Sequence, residues 1–474
     1  MVVELIRKLA IGAIAIATAL LFLSPATHGA LPSTWTPGDE AARLNGHRFS
    51  EEYWTTTVNN TTQDGGDVSF TISYMSYGNE SSSVQAFLLA FNKYVKDGNT
   101  STIPYQLFGM HFYTPEGQEI FIGAILAFLM AYDDTYNGTG AGQNNLPDPG
   151  HEKIYYVLPF GISDVPAFPN YTVSQPTVTP IDAQKVGSGH YKFGMRYQNL
   201  YCFVSENPLA SLIFRTGWIA LISEFTVTYD VTIDEATKTV KAETYYTIGQ
   251  IKELWLFLVG VPIAVSPYLL PSTLGLAAVH YTAIFASNYK VADKNGQTIN
   301  TGIQAPVDKN LTIQIGNRSE RALEIGFRGD FDLLNESANN QLVSTQPAYN
   351  VIVPARASDL TLVAWQAGFS LDAMCLVAYG LSKTIRQNYT SPLDLRQNGY
   401  QRFQTSTLWY AVAFPGFHGL RIVHDPTYTA YTNVGTTSAR PRIPGVEAAI
   451  VVGAVSILAC MTVSRMRRKR GQKH

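Results

Sequence analysis

The sequence predicts a mixed α+β chain rich in β-strand: an antiparallel, sandwich-like ectodomain with helices packed on its sheets, followed by one C-terminal transmembrane helix. Three observations carry that expectation. Residues 225–233 alternate apolar and polar side chains with period two, and residues 240–246 do so again across the polar turn 234–237, which is the pattern of a half-buried antiparallel hairpin. Five longer apolar stretches lie between segments that read as strands. Both ends of the chain carry uncharged apolar runs next to basic residues.

At the N-terminus Arg7 and Lys8 precede an apolar run from Leu9 to Leu23 and then the small residues Ser24, Pro25, Ala26, Gly29 and Ala30. This is the layout of a secretory signal over residues 1–30, with a cut near Gly29 or Ala30. A retained anchor is the other reading, because His28 fits a cut after Ala30 badly. Either way the chain that follows is expected to be exported. At the C-terminus an apolar stretch from Ala448 to Val463 precedes Arg465, Arg467, Arg468, Lys469, Arg470 and Lys473, with no acidic residue among them. A run of roughly 20 apolar residues crosses a bilayer as a helix, and a basic cluster stays on the cytoplasmic side. Residues 444–464 are therefore expected to be a single membrane-spanning helix and 465–474 a cytoplasmic tail, with the ectodomain outside the cell membrane.

Pro444, Gly445, the apolar run and the terminal Arg/Lys cluster together resemble the C-terminal sorting signal of archaeal cell-surface proteins, in which Pro-Gly-Phe precedes the helix. Val446 stands here where that family has Phe. The resemblance covers about the last 30 residues and implies an archaeal envelope address. It leaves two fates open: the helix is retained, or a sorting enzyme removes it and a lipid replaces it.

The chain has 34 basic and 36 acidic residues; setting aside two basic and one acidic residue in 1–30 and the six basic residues of the tail leaves 26 against 35, a net charge of −9. Such a surface repels phosphate backbones, so nucleic acid is excluded as a partner. Membrane, other envelope proteins and glycans remain. Charged residues are only 15% of the chain, so solubility rests on neutral polar groups or on sugars. Asn59, Asn60, Asn79, Asn99, Asn137, Asn170, Asn310, Asn317, Asn335 and Asn388 each begin Asn-X-Ser/Thr and are candidate glycosylation sites. Three cysteines are present, and Cys460 lies in the C-terminal apolar run, so a disulfide in the ectodomain can only join Cys202 to Cys375. Both lie in apolar sequence, where buried unpaired thiols are equally common.

Beyond the hairpin, strands are expected at 68–74, 108–113, 154–160, 191–204, 311–315, 322–327, 408–414 and 420–423. Helices are expected at 84–95, 119–131, 251–261, 275–286 and 360–385. A boundary near 248–290 divides a β-rich first part (31–248) from a second part (249–425) with apolar helices and strands. Residues 426–443, rich in Thr and Pro without apolar periodicity, read as a stalk. Residues 254–289 contain no charged side chain. That run is buried core, or a surface for membrane or partner, or a membrane hairpin, although it is short for two crossings.

Chemistry is sparse. Asp133, Asp134, Asn137, Asn144, Asn145, Asp148 and Glu152 crowd a Gly-rich loop, and hard oxygen ligands in a flexible loop are what calcium uses. Asp133, Asp134, Asn145, Asp148 and Glu152 are the candidate calcium ligands, yet the regular spacing of a calcium loop is missing, and a solvated surface loop accounts for the same residues. His111, His151, His190, His280, His418 and His424 show no zinc spacing, and Ser188 in Gly187-Ser188-Gly189 reads as a turn rather than a nucleophile elbow. The expected role is a membrane-anchored, glycosylated surface protein with a structural, adhesive or ligand-binding task. A tethered hydrolase with a site assembled from distant residues, or a subunit of an envelope complex, is the alternative.

Overall fold

The computed structural model describes residues 51–434 except 62–65, 79–83, 103, 105, 118, 149, 163–174, 287–288, 293–303, 307–310, 316–320, 328–329, 354–403 and 425. Within these residues the chain forms 24 strands in one antiparallel hydrogen-bonded network. In order they are β1 (Glu52–Thr61), β2 (Asp67–Tyr77), β3 (Val84–Lys96), β4 (Asn99–Thr102), β5 (Gln106–Tyr113), β6 (Glu119–Asp133), β7 (Ile154–Ile162) and β8 (Thr177–Gly187). β9 (His190–Ser205), β10 (Gly217–Asp234), β11 (Thr239–Ile248), β12 (Ile251–Leu258), β13 (Val261–Val265), β14 (Leu274–Ala286), β15 (Tyr289–Ala292) and β16 (Gln304–Pro306) follow. The last are β17 (Leu311–Ile315), β18 (Arg321–Phe327), β19 (Asp330–Asn335), β20 (Gln341–Pro347), β21 (Tyr349–Val353), β22 (Gln404–Phe414), β23 (Arg421–His424) and β24 (Pro426–Tyr431).

Strand pairing explains how one network encloses a core. One run of neighbours is β1-β2-β3-β5-β6-β14-β22-β21-β16. A second is β8-β9-β10-β11-β24-β18-β17-β15. The corner between them is β7, which pairs with the second half of β6 and then with the end of β9. The two runs lie face to face: the Phe108 ring of β5 stacks on Tyr229 of β10 with centroids 4.3 Å apart, and Tyr246 of β11 meets His280 of β14 at 5.4 Å. Their facing side chains merge into a single hydrophobic core. Close approach sets some residues outright: a Cβ on Gly194 of β9 would lie 2.3 Å from the Val227 carbonyl oxygen of β10.

The hairpin expected from strict alternation is present as β10 and β11, with Val231 opposite Ala242 and Val227 opposite Tyr246. Alternation is a reliable sign there because one face meets the core and the other is partly solvated.

The expected helices are corrected. Residues 84–95, 119–131 and 275–286 are strands β3, β6 and β14, and 251–261 is β12 with the turn into β13. Position for position, β3 is buried from Val84 through Phe91 and β5 from Gln106 through Phe112. A strand covered on both faces carries a continuous apolar run, whose period cannot be told from that of a buried helix. Among the described residues the only α-helix is α1 (Pro208–Phe214), beside two 3-10 turns at Pro267–Leu269 and Glu336–Ala338. None is long and apolar enough to cross a membrane. The expected signal at 1–30, helix at 360–385, membrane helix at 444–464 and tail lie outside the described residues.

The expected boundary also dissolves at the level of pairing. β6 bonds to β14, β10 to β12, and β11 to β23 and β24, so strands from both sides of residue 248 share one sheet and one core. Residues 426–431, expected to open the stalk, form the inner strand β24, with Tyr428 and Ala430 buried between β11 and β18. The rest of that stretch, 435–443, lies outside the described residues.

Candidate functional site

The acidic loop, the strongest candidate in the sequence, uses its oxygens on its own backbone. Asp134 accepts the N–H groups of Asn144 (3.0 Å) and Asn145 (3.1 Å) on its two carboxylate oxygens. Glu152 Oε1 accepts from Thr135 N (2.8 Å) and Tyr136 N (2.9 Å), while Oε2 accepts from Asp148 N (3.1 Å). Asp148 bonds the Asn144 side-chain amide, Asp133 accepts from the Thr273 hydroxyl at 2.7 Å, and Asn145 donates to the Tyr349 hydroxyl at 3.3 Å. Burial raises the carboxyl pKa of Asp134 and of Glu152, against the opposing pull of those N–H donors. Among the described residues no three His, Cys, Asp or Glu side chains converge as a metal site. Asp134 and Glu152 act as clips on the backbone of the irregular loop between β6 and β7, while Asp133, Asn145 and Asp148 bond side chains in and around it. Glu152→Ala should accordingly speed hydrogen exchange at the part-buried Tyr136 and Asp148 amides by about tenfold, and by less at exposed Thr135, since losing an acceptor costs roughly 1–3 kcal/mol per orphaned donor when buried and less when exposed.

Cys202, in β9, is buried and unpaired among the described residues, its thiol pushed up to about 12 by burial; Cys375, the one residue a disulfide in the ectodomain could join to it, lies outside the described residues. Asn59 is exposed on β1, and Asn60 and Asn99 also lie in strands. Asn137 is exposed in the acidic loop, with its Oδ1 accepting from Thr139 N and Gly140 N. Asn335 ends β19, while Asn79, Asn170, Asn310, Asn317 and Asn388 lie outside the described residues. Ser188 sits in the tight turn between β8 and β9.

The structure supplies a site that sequence reasoning missed: an apolar cavity of about 230 Å³ between the two runs of strands, close to the corner made by β7. Every second residue of four strands points into it: Leu129 and Ala131 from β6, Leu274 and Leu276 from β14, Cys202 and Val204 from β9, and Trp218, Ala220 and Ile222 from β10. Tyr155 and Val157 of β7 close one side, and Leu254, Val265, Leu269 and Pro271 form the rim. Its titratable lining groups are Asp133, Tyr155 and Cys202. The thiol is neutral, and burial raises the tyrosine's pKa above its ordinary value. Tyr155 is hydrogen-bonded to Glu206 and feels the Asp133 carboxylate, and the rest of the lining is almost wholly apolar, which suits binding by exclusion of water.

Beyond the rim the β12–β13 hairpin projects from the end of the molecule, and α1 packs its C-terminal end against the turn through a Gly260 N–H to Arg215 carbonyl bond of 2.7 Å. The hairpin carries Leu258, Val259, Val261 and Ile263 exposed, with Phe214 of α1 and Tyr268 and Leu269 of the 3-10 turn beside it. Val259 and Gly260 form the two-residue turn with φ of +50° and +83°. Turns of this kind favour Asn or Gly, and a β-branched side chain at positive φ is a strained exception. The signal that could have found this end was the charge-free run 254–289, which divides in the structure: 274–280 is buried in β14, whereas the hairpin and the 3-10 turn leave much of their apolar surface in solvent. No known family model matches the chain, and no curated protein is significantly similar to it.

Proposed function

We propose that the chain is a membrane-tethered, glycosylated surface protein that binds a small apolar ligand in the cavity between its strands. The apolar lining of that cavity is the observation that supports this most directly: a void of about 230 Å³ exceeds the roughly 150 Å³ apolar cavity known to hold benzene, and it opens beside exposed apolar side chains. The N-terminal apolar run, the sequons and the Pro444-Gly445 segment with its basic tail support export and tethering. A glycan or an acidic ligand fits this lining poorly, since burying unpaired polar groups there is unfavourable.

A fluorescent naphthylamine probe should bind the purified protein and be displaced by a medium-chain alcohol. Ala220→Trp, which fills the cavity from β10, should weaken the probe by about tenfold or more, the contribution of burying one apolar side chain. Val259→Asn, outside the cavity, should leave it unchanged. Equal binding by native protein and Ala220→Trp, with both folded by circular dichroism, would remove the reading. Intact mass and peptide mapping of protein from its native membrane test export separately: loss of about 30 N-terminal residues and sugars on several sequons is the expected result.

A further inference from the structure

Phe214, Leu258, Val259, Val261, Tyr268 and Leu269 form an exposed apolar tip, with Val259 78% and Leu269 76% exposed. We propose that this tip is a lipid-docking element, which inserts shallowly into a bilayer at a point remote from the protein's own tether.

The position of the tip follows from β10. Its first residue, Gly217, pairs with Phe257 next to the hairpin turn. Its last, Asp234, lies beside the turn at Lys238, whose ammonium reaches the Val434 carbonyl at 2.7 Å. Asn433 N bonds Tyr113 O at the same end. The 18 residues of β10 therefore separate the tip from the point where the described chain ends, and at about 3.3 Å per residue that is roughly 55 Å. Residues 435–443, nine in number, reach at most about 30 Å when fully extended. A membrane entry point at residue 444 thus stays remote from the tip. This placement rests on the proposed function only in that the C-terminal end is the tethered one.

The choice of lipid over a second copy rests on shape and on backbone chemistry. β13 is exposed from Val261 through Ala264 and among the described residues pairs with β12 alone, which leaves an outer edge that could template another strand. Pro262 sits in that edge and has no N–H to give, the usual device against such pairing. A projecting hairpin offers little flat area to a protein, whereas lipid asks no shape complement. No charged residue occurs from 254 to 289, and Arg215 lies beside the turn, its side chain 3.5 Å from where a Cβ on Gly260 would stand, in reach of a lipid phosphate. Lys252 and Glu253 oppose each other in sign at the hairpin base. The strain at Val259 adds weight, because Asn would relieve it, and the sequence keeps an apolar side chain at the most exposed position.

The full chain, held on beads by a C-terminal tag, should capture fluorescent vesicles of phosphatidylcholine with a minor share of phosphatidylglycerol. The double variant Val259→Asn, Phe214→Ser should capture about tenfold fewer, as expected from withdrawing two apolar side chains from the interface, with its urea midpoint unchanged or higher because Asn accepts the left-handed turn. Equal capture by the two proteins, or no capture by either, overturns the proposal. So does native protein that self-associates in sedimentation, loses this in the variant and captures no vesicles, since the tip is then a contact between copies. Alkaline carbonate extraction from native membranes tests the tether separately, and its failure leaves the bead result standing.

Discussion

Phe108→Ala is expected to lower the free energy of unfolding by about 4 kcal/mol, the middle of the range for removing a buried phenyl ring. Phe108 is fully buried on β5, stacked on Tyr229 at 4.3 Å with 7° between ring planes, and 5.9 Å from Tyr428 of β24. Those partners belong to the opposite run of strands, so the ring is a contact through which the two halves of the core meet. Truncation loses the buried area, leaves a void that rigid strands on both sides cannot close, and removes a ring pair worth roughly 0.5–1.5 kcal/mol. Phe108→Leu keeps most of the volume and should cost about 1.5 kcal/mol or less. Equilibrium urea unfolding checks this: the midpoint should fall while the slope holds. A loss under about 1 kcal/mol for the alanine variant would mean that the two layers are not held together here.

How much of this was readable depended on exposure. Residues 225–246 declared themselves because Thr226, Thr228, Asp230 and Thr232 alternate with Phe225, Val227, Tyr229 and Val231. β3 and β6 hid because both faces of each are largely covered, and Val84 to Phe91 reads like a helix by apolar content alone. β24 hid for the opposite reason: its buried positions include Pro426, Tyr428 and Ala430 among threonines, a weak apolar signal whose period of two becomes visible only once the sheet is known. The acidic loop stood out in the sequence as a cluster of hard oxygens suited to calcium or to solvent, but sequence cannot say whether a carboxylate meets an ion or an amide. The cavity left no local mark, since its walls come from strands spread over residues 119–286. Its outlying rim did leave one, in the uncharged stretch 254–289.

Acid should unfold the protein through His280, which no sequence motif distinguished. His280 is buried on β14 at a register shift opposite β6, faces Tyr246, and is depressed from 6.5 to about 3 by burial first and by nearby His424 second. Because its folded pKa is lowered, the unfolded chain takes up a proton before the folded one does. Stability is therefore complete above the unfolded value of about 6.5 and falls by about 1.4 kcal/mol per pH unit below it, levelling near pH 3. At pH 4.5 the expected loss is about 3 kcal/mol. Asp134 and Glu152, whose folded pKa values are raised, work the other way and add stability as pH falls through them towards the ordinary carboxylate range. Glu51, lowered by its bonds with Lys185 and Tyr191, loses its contribution at still lower pH. Subtraction separates these: His280→Leu should flatten the stability profile between pH 6.5 and 4.5 by about 3 kcal/mol while leaving the carboxylate contributions in place. Urea midpoints across that range make the measurement, and a variant with the native slope would show that His280 is already protonated or hydrated in the fold.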